Sequence, residues 1–112
     1  MTIYRRGDVV LVNFVFSDET GSKKRPGLVI SPDSYNDHRG ELVIAAVTSN
    51  VKRAKAGDYK VKNYRSAGLL APSLVTAVIR TIRRTMVERI LGNISAEDQV
   101  EIDANIRVYL GI

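Results

Sequence analysis

The run DVVLVNFVF, from Asp8 to Phe16, restricts the fold more than any other stretch of this chain. Valine and phenylalanine are crowded into it, and such a density of β-branched and aromatic side chains predicts a buried strand. Shorter apolar runs recur between glycine, proline and charged residues, which is typical of successive short strands. These runs cover residues 27–31, 41–48, 58–61 and 74–82. We therefore expect a chain built mainly from short strands.

The segments between these runs are polar or ambiguous. Residues 17–25 predict a loop, and Pro26, which lacks a backbone donor, suits the first position of the strand that follows. A short helical turn is expected after Pro32, and residues 84–91 fit either a helical turn or another strand.

The C-terminal segment carries the signals of one amphipathic helix. Ser95 is a favourable N-cap, and acidic residues in the first turn complement the helix dipole. An apolar stripe follows at helical spacing and consists of Ile102, Ile106, Tyr109 and Leu110. Strands followed by one helix predict an α+β, mostly β fold. We expect a single domain over residues 1–112, shaped as a small twisted barrel or half-barrel closed by that helix.

Composition favours one domain in a reducing compartment. The chain has 112 residues, 45% of them hydrophobic, and no cysteine. Its apolar runs are far shorter than the roughly 20 residues that span a bilayer, and its N-terminus does not resemble a signal peptide. A cytoplasmic protein without membrane contact is expected.

The charge balance favours anionic partners. Seventeen Lys and Arg stand against twelve Asp and Glu, which gives a net charge of +5, and the cations are clustered. Clustered cations of this kind attract phosphate backbones, although ordinary solubilising charge would produce the same balance.

Several classes of catalytic site are excluded by residue type. The only histidine is His38, and without cysteine the chain lacks the sets needed for zinc sites or for histidine-assisted nucleophiles. No glycine-rich phosphate loop occurs, and we expect no metal and no cofactor. Cleavage of RNA remains compatible, because the substrate supplies its own nucleophile, the 2′-hydroxyl. The protein then needs only cations and hydroxyls that position and neutralise the phosphate.

Three stretches resemble the MazF/PemK (Kid) toxins of bacterial type II toxin–antitoxin systems: GDVVLVNFVFSDETGSKKRPGLVIS, ELVIAAVTSN and GLLAPSLVTAVIRTI. The closing LGNISAED and the helix after it are similar too, so the likeness covers nearly the whole chain. The resemblance implies an SH3-like twisted β-barrel of the MazF/CcdB type, usually a homodimer. It also implies a metal-independent endoribonuclease that cuts single-stranded mRNA sequence-specifically and is neutralised by an acidic antitoxin.

The resemblance assigns roles to two residues. Arg25 matches the catalytic arginine of the family and Thr48 its catalytic threonine, while Ser49 and Asn50 would lie near the substrate. From their charge, four further cations are expected to contact the RNA backbone: Lys23, Lys24, Lys52 and Arg53.

The chain also departs from the family pattern. Ala77 and Val78 occupy positions at which many members carry Asp-Gln or Asp-Lys. An alternative is therefore a non-enzymatic protein on the same fold, either a gyrase inhibitor like CcdB or a catalytically weakened RNA binder. A DNA-binding autorepressor is a weaker alternative, because no helix-turn-helix pattern occurs.

Overall fold

The computed structural model describes residues 2–15 and 21–112. Their strands form one antiparallel sheet in the order β4-β5-β3-β2-β1-β6. Within the described chain the sheet is open, because the edge strands β4 and β6 do not pair with each other. The elements are β1 (Asp8–Val15), β2 (Ser22–Val29), α1 (Asp33–Arg39), β3 (Glu41–Thr48), β4 (Tyr59–Lys60), β5 (Leu74–Arg83), β6 (Val87–Asn93) and α2 (Ala96–Leu110). The predicted α+β, mostly β class is confirmed, in the form of a twisted half-barrel.

Both faces of the sheet are buried over much of its area. Val9 and Leu28 belong to a cluster on one face, which Ile102 of α2 covers. Their neighbours Val10 and Val29 belong to a cluster on the other face, which includes Tyr4. Adjacent residues of a strand point to opposite faces, so a strand buried on both sides is apolar throughout. This is why β1 appears in the sequence as a run of apolar residues that only Asn13 interrupts after Asp8.

Strand β2 differs from its prediction. It begins at Ser22 and ends at Val29, so the triplet Lys23–Arg25 lies inside a strand and not in a loop. The triplet pairs with β1 in a register that sets Arg25 opposite Val12. This pairing depends on β1, and the local polarity of the triplet gives no sign of it. Of the predicted loop, residues 17–20 lie outside the described residues, as does Phe16.

Pro26 lies in the middle of β2 instead of at its start. The N–H of Ile30 donates to Val43 of β3 at 2.9 Å, and alternate residues of a strand direct their backbone groups to the same side. Pro26 therefore directs its nitrogen towards β3. Pairing with β3 starts only at Gly27, so the missing donor of Pro26 removes no hydrogen bond from the sheet.

The remaining predictions agree with the structure more closely. The expected turn after Pro32 is helix α1, and residues 84–91 combine the two alternatives, a 3₁₀ turn at Arg84–Met86 followed by β6. At the start of α2, the side chain of Ser95 accepts a hydrogen bond from the backbone N–H of Asp98 at 3.1 Å. None of the helices in the described chain has the length and apolar character needed to cross a membrane.

Asp98 anchors the segment after β4 to helix α2. Its carboxylate is buried and accepts hydrogen bonds from the Tyr59 hydroxyl at 2.6 Å and from the backbone N–H groups of Lys62 and Asn63 at 3.0 and 2.9 Å. Burial by itself raises the pKa of Asp98, but these hydrogen bonds outweigh it and hold the pKa below its usual value. Burial, together with the hydrogen bond to Asp98, raises the pKa of Tyr59.

Candidate active site

A groove opens where β2 and β3 separate. The two strands pair only between Gly27–Val29 and Ile44–Ala46, and each continues beyond its last paired residue. The space between the diverging ends has a volume of about 1010 Å³. Gly27 lies at the point of separation, where a Cβ atom would come within 2.8 Å of the Ile44 side chain. A larger residue at position 27 would therefore displace the floor of the groove.

Arg25 and Thr48, far apart in sequence, both line this groove. Arg25 is exposed on β2, and Thr48 is half-buried at the last position of β3. The Thr48 hydroxyl oxygen accepts a hydrogen bond from the backbone N–H of Asn50 at 3.2 Å. The hydroxyl proton thus stays available for donation to a ligand. The structure brings a cation and a hydroxyl donor to one surface.

The other candidate residues divide into two groups. Lys23 and Ser49 line the groove beside Arg25 and Thr48. Lys24 does not line it, since its ammonium forms an ion pair with Glu88 of β6 at 2.9 Å. Lys23 and Lys24 are adjacent on β2, so their side chains point to opposite faces of the sheet.

Three candidates follow β3 and do not line the groove. Asn50 and Lys52 are exposed, and Lys52 lies in a 3₁₀ turn over Val51–Arg53. The backbone of Arg53 belongs to the same turn, while its side chain is outside what the structure describes. RNA contact by these three residues stays a prediction.

Two arginines of the groove were not assigned a role from the sequence. Arg80 on β5 places its guanidinium 5.0 Å from the centroid of the Phe14 ring, and both side chains line the groove. Arg89 on β6, which pairs with Leu11, lines it as well. No local pattern marks these arginines, because strands distant in sequence bring them to the groove.

The electrostatic character of the groove follows from its lining. Among the described residues that line it, the charged ones are all cations and none carries a carboxylate: Lys23, Arg25, Arg80 and Arg89. A concave surface lined by one sign of charge concentrates its field and attracts anions. Within the described ranges, no three His, Asp or Glu side chains stand close enough together to hold a metal ion. The groove is suited to an anion that also presents apolar or planar groups.

One wall of the groove is held by close backbone packing. Residues 68–71 form part of this wall. Gly68 has a positive φ of 77°, and a Cβ atom on Gly92 of β6 would lie 2.6 Å from the carbonyl carbon of Ala67. Only glycine permits this approach, so the wall is fixed against β6.

Ala77 does not face the groove. A Cβ atom added to Gly57 would lie only 2.7 Å from the Cβ atom of Ala77 and close to the ring of Tyr109, so Ala77 packs against Gly57. Its neighbours Thr76 and Val78 line the groove instead. The side chain at position 77, where the resemblance would lead one to expect an aspartate, therefore points away from the groove.

Comparison with known proteins gives consistent results. A family model described as "PemK-like, MazF-like toxin of type II toxin-antitoxin system" matches residues 5–110. The chain is 27% identical to "Endoribonuclease MazF" of Staphylococcus epidermidis over 112 residues, covering 96% of this chain and 92% of that protein. Its fold is similar to MazE–MazF from Deinococcus radiodurans, with a TM-score of 0.83 and 20% identity over 100% and 99% of the two chains. It is also similar to a mycobacterial endoribonuclease solved in complex with its cognate antitoxin, with a TM-score of 0.78 and 19% identity over 97% and 96% of the chains.

Proposed function

This chain belongs to the PemK-like, MazF-like toxins of type II toxin–antitoxin systems, and on that premise we propose that it is an endoribonuclease that cleaves single-stranded RNA. The observation that carries the proposal is the joint position of Arg25 and Thr48 in a groove whose described charges are all positive. RNA supplies both the anion and the nucleophile that such a site requires.

Arg25 is proposed to neutralise the scissile phosphate. Its guanidinium can donate two parallel hydrogen bonds to the non-bridging oxygens, and the Thr48 hydroxyl can donate a third. The 2′-oxygen attacks the adjacent phosphorus and loses its proton to water, while the bond to the 5′-oxygen breaks and that oxygen takes a proton from water. The products are a 2′,3′-cyclic phosphate and a 5′-hydroxyl. Arg25 is most effective at the phosphorane, where the negative charge is greatest.

The contact between Arg80 and Phe14 supports a preference for single strands. A guanidinium stacked on an aromatic ring makes a flat surface, and unpaired bases stack on such surfaces. A base inside a duplex is already stacked on its neighbours and would first have to leave them. We propose that one base next to the scissile phosphate rests on this surface.

The biological setting is proposed from the family. The chain is expected to act in the cytoplasm as a homodimer and to be neutralised by a cognate antitoxin. An acidic antitoxin suits a groove lined by Lys23, Arg25, Arg80 and Arg89.

Cleavage of a defined single-stranded RNA tests the proposal. Arg25→Ala is expected to slow cleavage by about 100-fold or more, the cost of losing one charge-stabilising donor. Thr48→Val, which keeps the shape and removes the hydroxyl, is expected to slow it while leaving RNA affinity near that of the wild type. Arg107→Gln on α2 removes one positive charge outside the groove and is the matched control.

Two outcomes would refute the proposal. One is a wild-type protein that cuts no RNA of any sequence, which would favour the non-enzymatic alternative, and inhibition of gyrase supercoiling would then identify it. The other is equal cleavage by the wild type and by Arg25→Ala.

A further inference from the structure

Lys60 and Thr48 lie two strands apart at the same level of the sheet, although twelve positions separate them in sequence. Strand β5 pairs with β3 on one side and with β4 on the other, and Leu74 is the partner of both Thr48 and Lys60. Residues directly opposite each other on neighbouring strands have their side chains on the same face. With strands about 4.8 Å apart, the two Cα atoms are about 10 Å apart across Leu74.

The backbone of Lys60 is held in place. The N–H of the next residue, Val61, donates to the carbonyl of Ser73 at 3.0 Å, and the hydroxyl of Tyr59 donates to Asp98. Tyr59 packs against the cluster on the opposite face of the sheet, so Lys60 points towards the face of Thr48. The position of this lysine relative to the groove is therefore set by the sheet.

The charge of Lys60 is available. The residue is exposed, and among the described residues its ammonium has no ion-pair partner. The nearest acid in sequence is Asp58, whose carboxylate is already used by the turn. It accepts hydrogen bonds from the backbone N–H groups of Lys55 at 2.9 Å and Ala77 at 3.3 Å. An exposed ammonium that has no ion-pair partner in the described part of the chain and lies near an anion-binding groove can bind a further phosphate of the same strand.

We propose that RNA bound at Thr48 also reaches Lys60, two strands away on the same face, where the exposed ammonium binds a backbone phosphate flanking the cleavage site. This proposal rests on the proposed RNA cleavage and extends it to the flanking nucleotides. The contact is to phosphate, so it raises affinity for any sequence in the flank and adds no base preference. It acts on one side of the cleavage site only, because Lys60 lies on one side of Thr48.

The experiment compares Lys60→Gln with Arg107→Gln, which removes the same charge from the helix behind the sheet. The probes are RNA oligonucleotides whose cut position is mapped with the wild type and whose cleaved nucleotide is then replaced by its 2′-deoxy form to prevent turnover. One probe carries only the core, one is extended on the 5′ side, and one is extended on the 3′ side. Dissociation constants are measured over a range of salt concentrations, and thermal unfolding confirms that both variants are folded.

We expect Lys60→Gln to bind one of the two extended probes several-fold more weakly than the wild type, and the core probe equally well. For that extended probe, the slope of log K against log salt should fall by about 0.7, the value for one phosphate contact on a single strand. Changing the base sequence of the extension should not alter the effect. With cleavable RNA, KM should rise and kcat should stay unchanged.

The inference fails if Lys60→Gln matches Arg107→Gln on both extended probes, or if it weakens the core probe to the same degree. Such a result with a wild type that cleaves RNA overturns only the role of Lys60. A wild type that neither binds nor cleaves RNA overturns the proposed function and this inference with it.

Discussion

Replacing Asp98 by asparagine is expected to destabilise the fold at the segment that carries Lys60. The carboxylate accepts four hydrogen bonds, from the Tyr59 hydroxyl, from the side chain of Ser95 and from the N–H groups of Lys62 and Asn63. The two backbone donors go to different carboxylate oxygens, Oδ1 and Oδ2. The substitution keeps the size and shape of the side chain, so its effect isolates the charge and the second acceptor.

The magnitude follows from the hydrogen bonds that asparagine cannot accept. Only one of its two terminal atoms is an acceptor, so in either orientation one backbone N–H group faces an NH₂ group. A buried donor without a partner costs about 1–3 kcal/mol, and the remaining bonds are weakened because the acceptor is now neutral. We expect a total loss of about 2–4 kcal/mol. For a chain of this length, that corresponds to a fall in Tm on the order of 10 °C.

The assay is urea and thermal unfolding, with Asp103→Asn as the control. Asp103 lies on the same helix and accepts hydrogen bonds from Arg6 and Gln99, but it is partly exposed, so its loss should cost less than about 1 kcal/mol. If Asp98→Asn unfolds no more easily than Asp103→Asn, the reasoning from buried hydrogen bonds is wrong.

The pH dependence gives a second measurement on the same variant. The folded-state pKa of Asp98 is lowered, so its contribution to stability is present above the unfolded-state value of about 3.9 and is lost as the pH falls through the folded-state pKa. Below pH 4 the wild type should therefore lose stability more steeply than Asp98→Asn. Parallel curves for the two proteins would contradict a charged Asp98 in the folded state.

Two further predictions concern the groove. Gly92→Ala should destabilise the fold by about 2–3 kcal/mol and weaken RNA binding, since its Cβ would press on the groove wall. Gly40→Ala, with a positive φ of 65° and open space around it, should destabilise the fold by about 1 kcal/mol and leave RNA binding unchanged. Equal RNA affinities for the two variants would refute this account of the wall. Lys23→Ala should weaken RNA binding and reduce the slope of log K against log salt by about 0.7. Lys24→Ala should do neither, because the charge of Lys24 is paired with Glu88. An equal loss of affinity in both variants in a binding titration would contradict the division between them.

The elements with strong local signals were predictable from the sequence. Strand β1, strand β3 and helix α2 lie close to where apolar runs and the Ser95 cap predict them. Residue types alone also excluded histidine and cysteine catalysis, whereas the resemblance to the MazF/PemK toxins singled out Arg25 and Thr48. The predictions of β1, β3 and α2 succeed because burial of a strand and capping of a helix depend on residues near one another in the chain.

Strand pairing decided the rest. Pairing with β1 placed Lys23–Arg25 in a strand, which set Lys23 in the groove and turned Lys24 towards Glu88. Arg80 and Arg89 entered the groove, and Lys60 came to lie level with Thr48 two strands away, through contacts between strands that are distant in sequence. A shift of one residue in register would move each of these side chains to the opposite face of the sheet. The sequence therefore determined which chemical groups the protein has, and only the tertiary structure determined which of them meet, because register is set by the packing of the whole sheet.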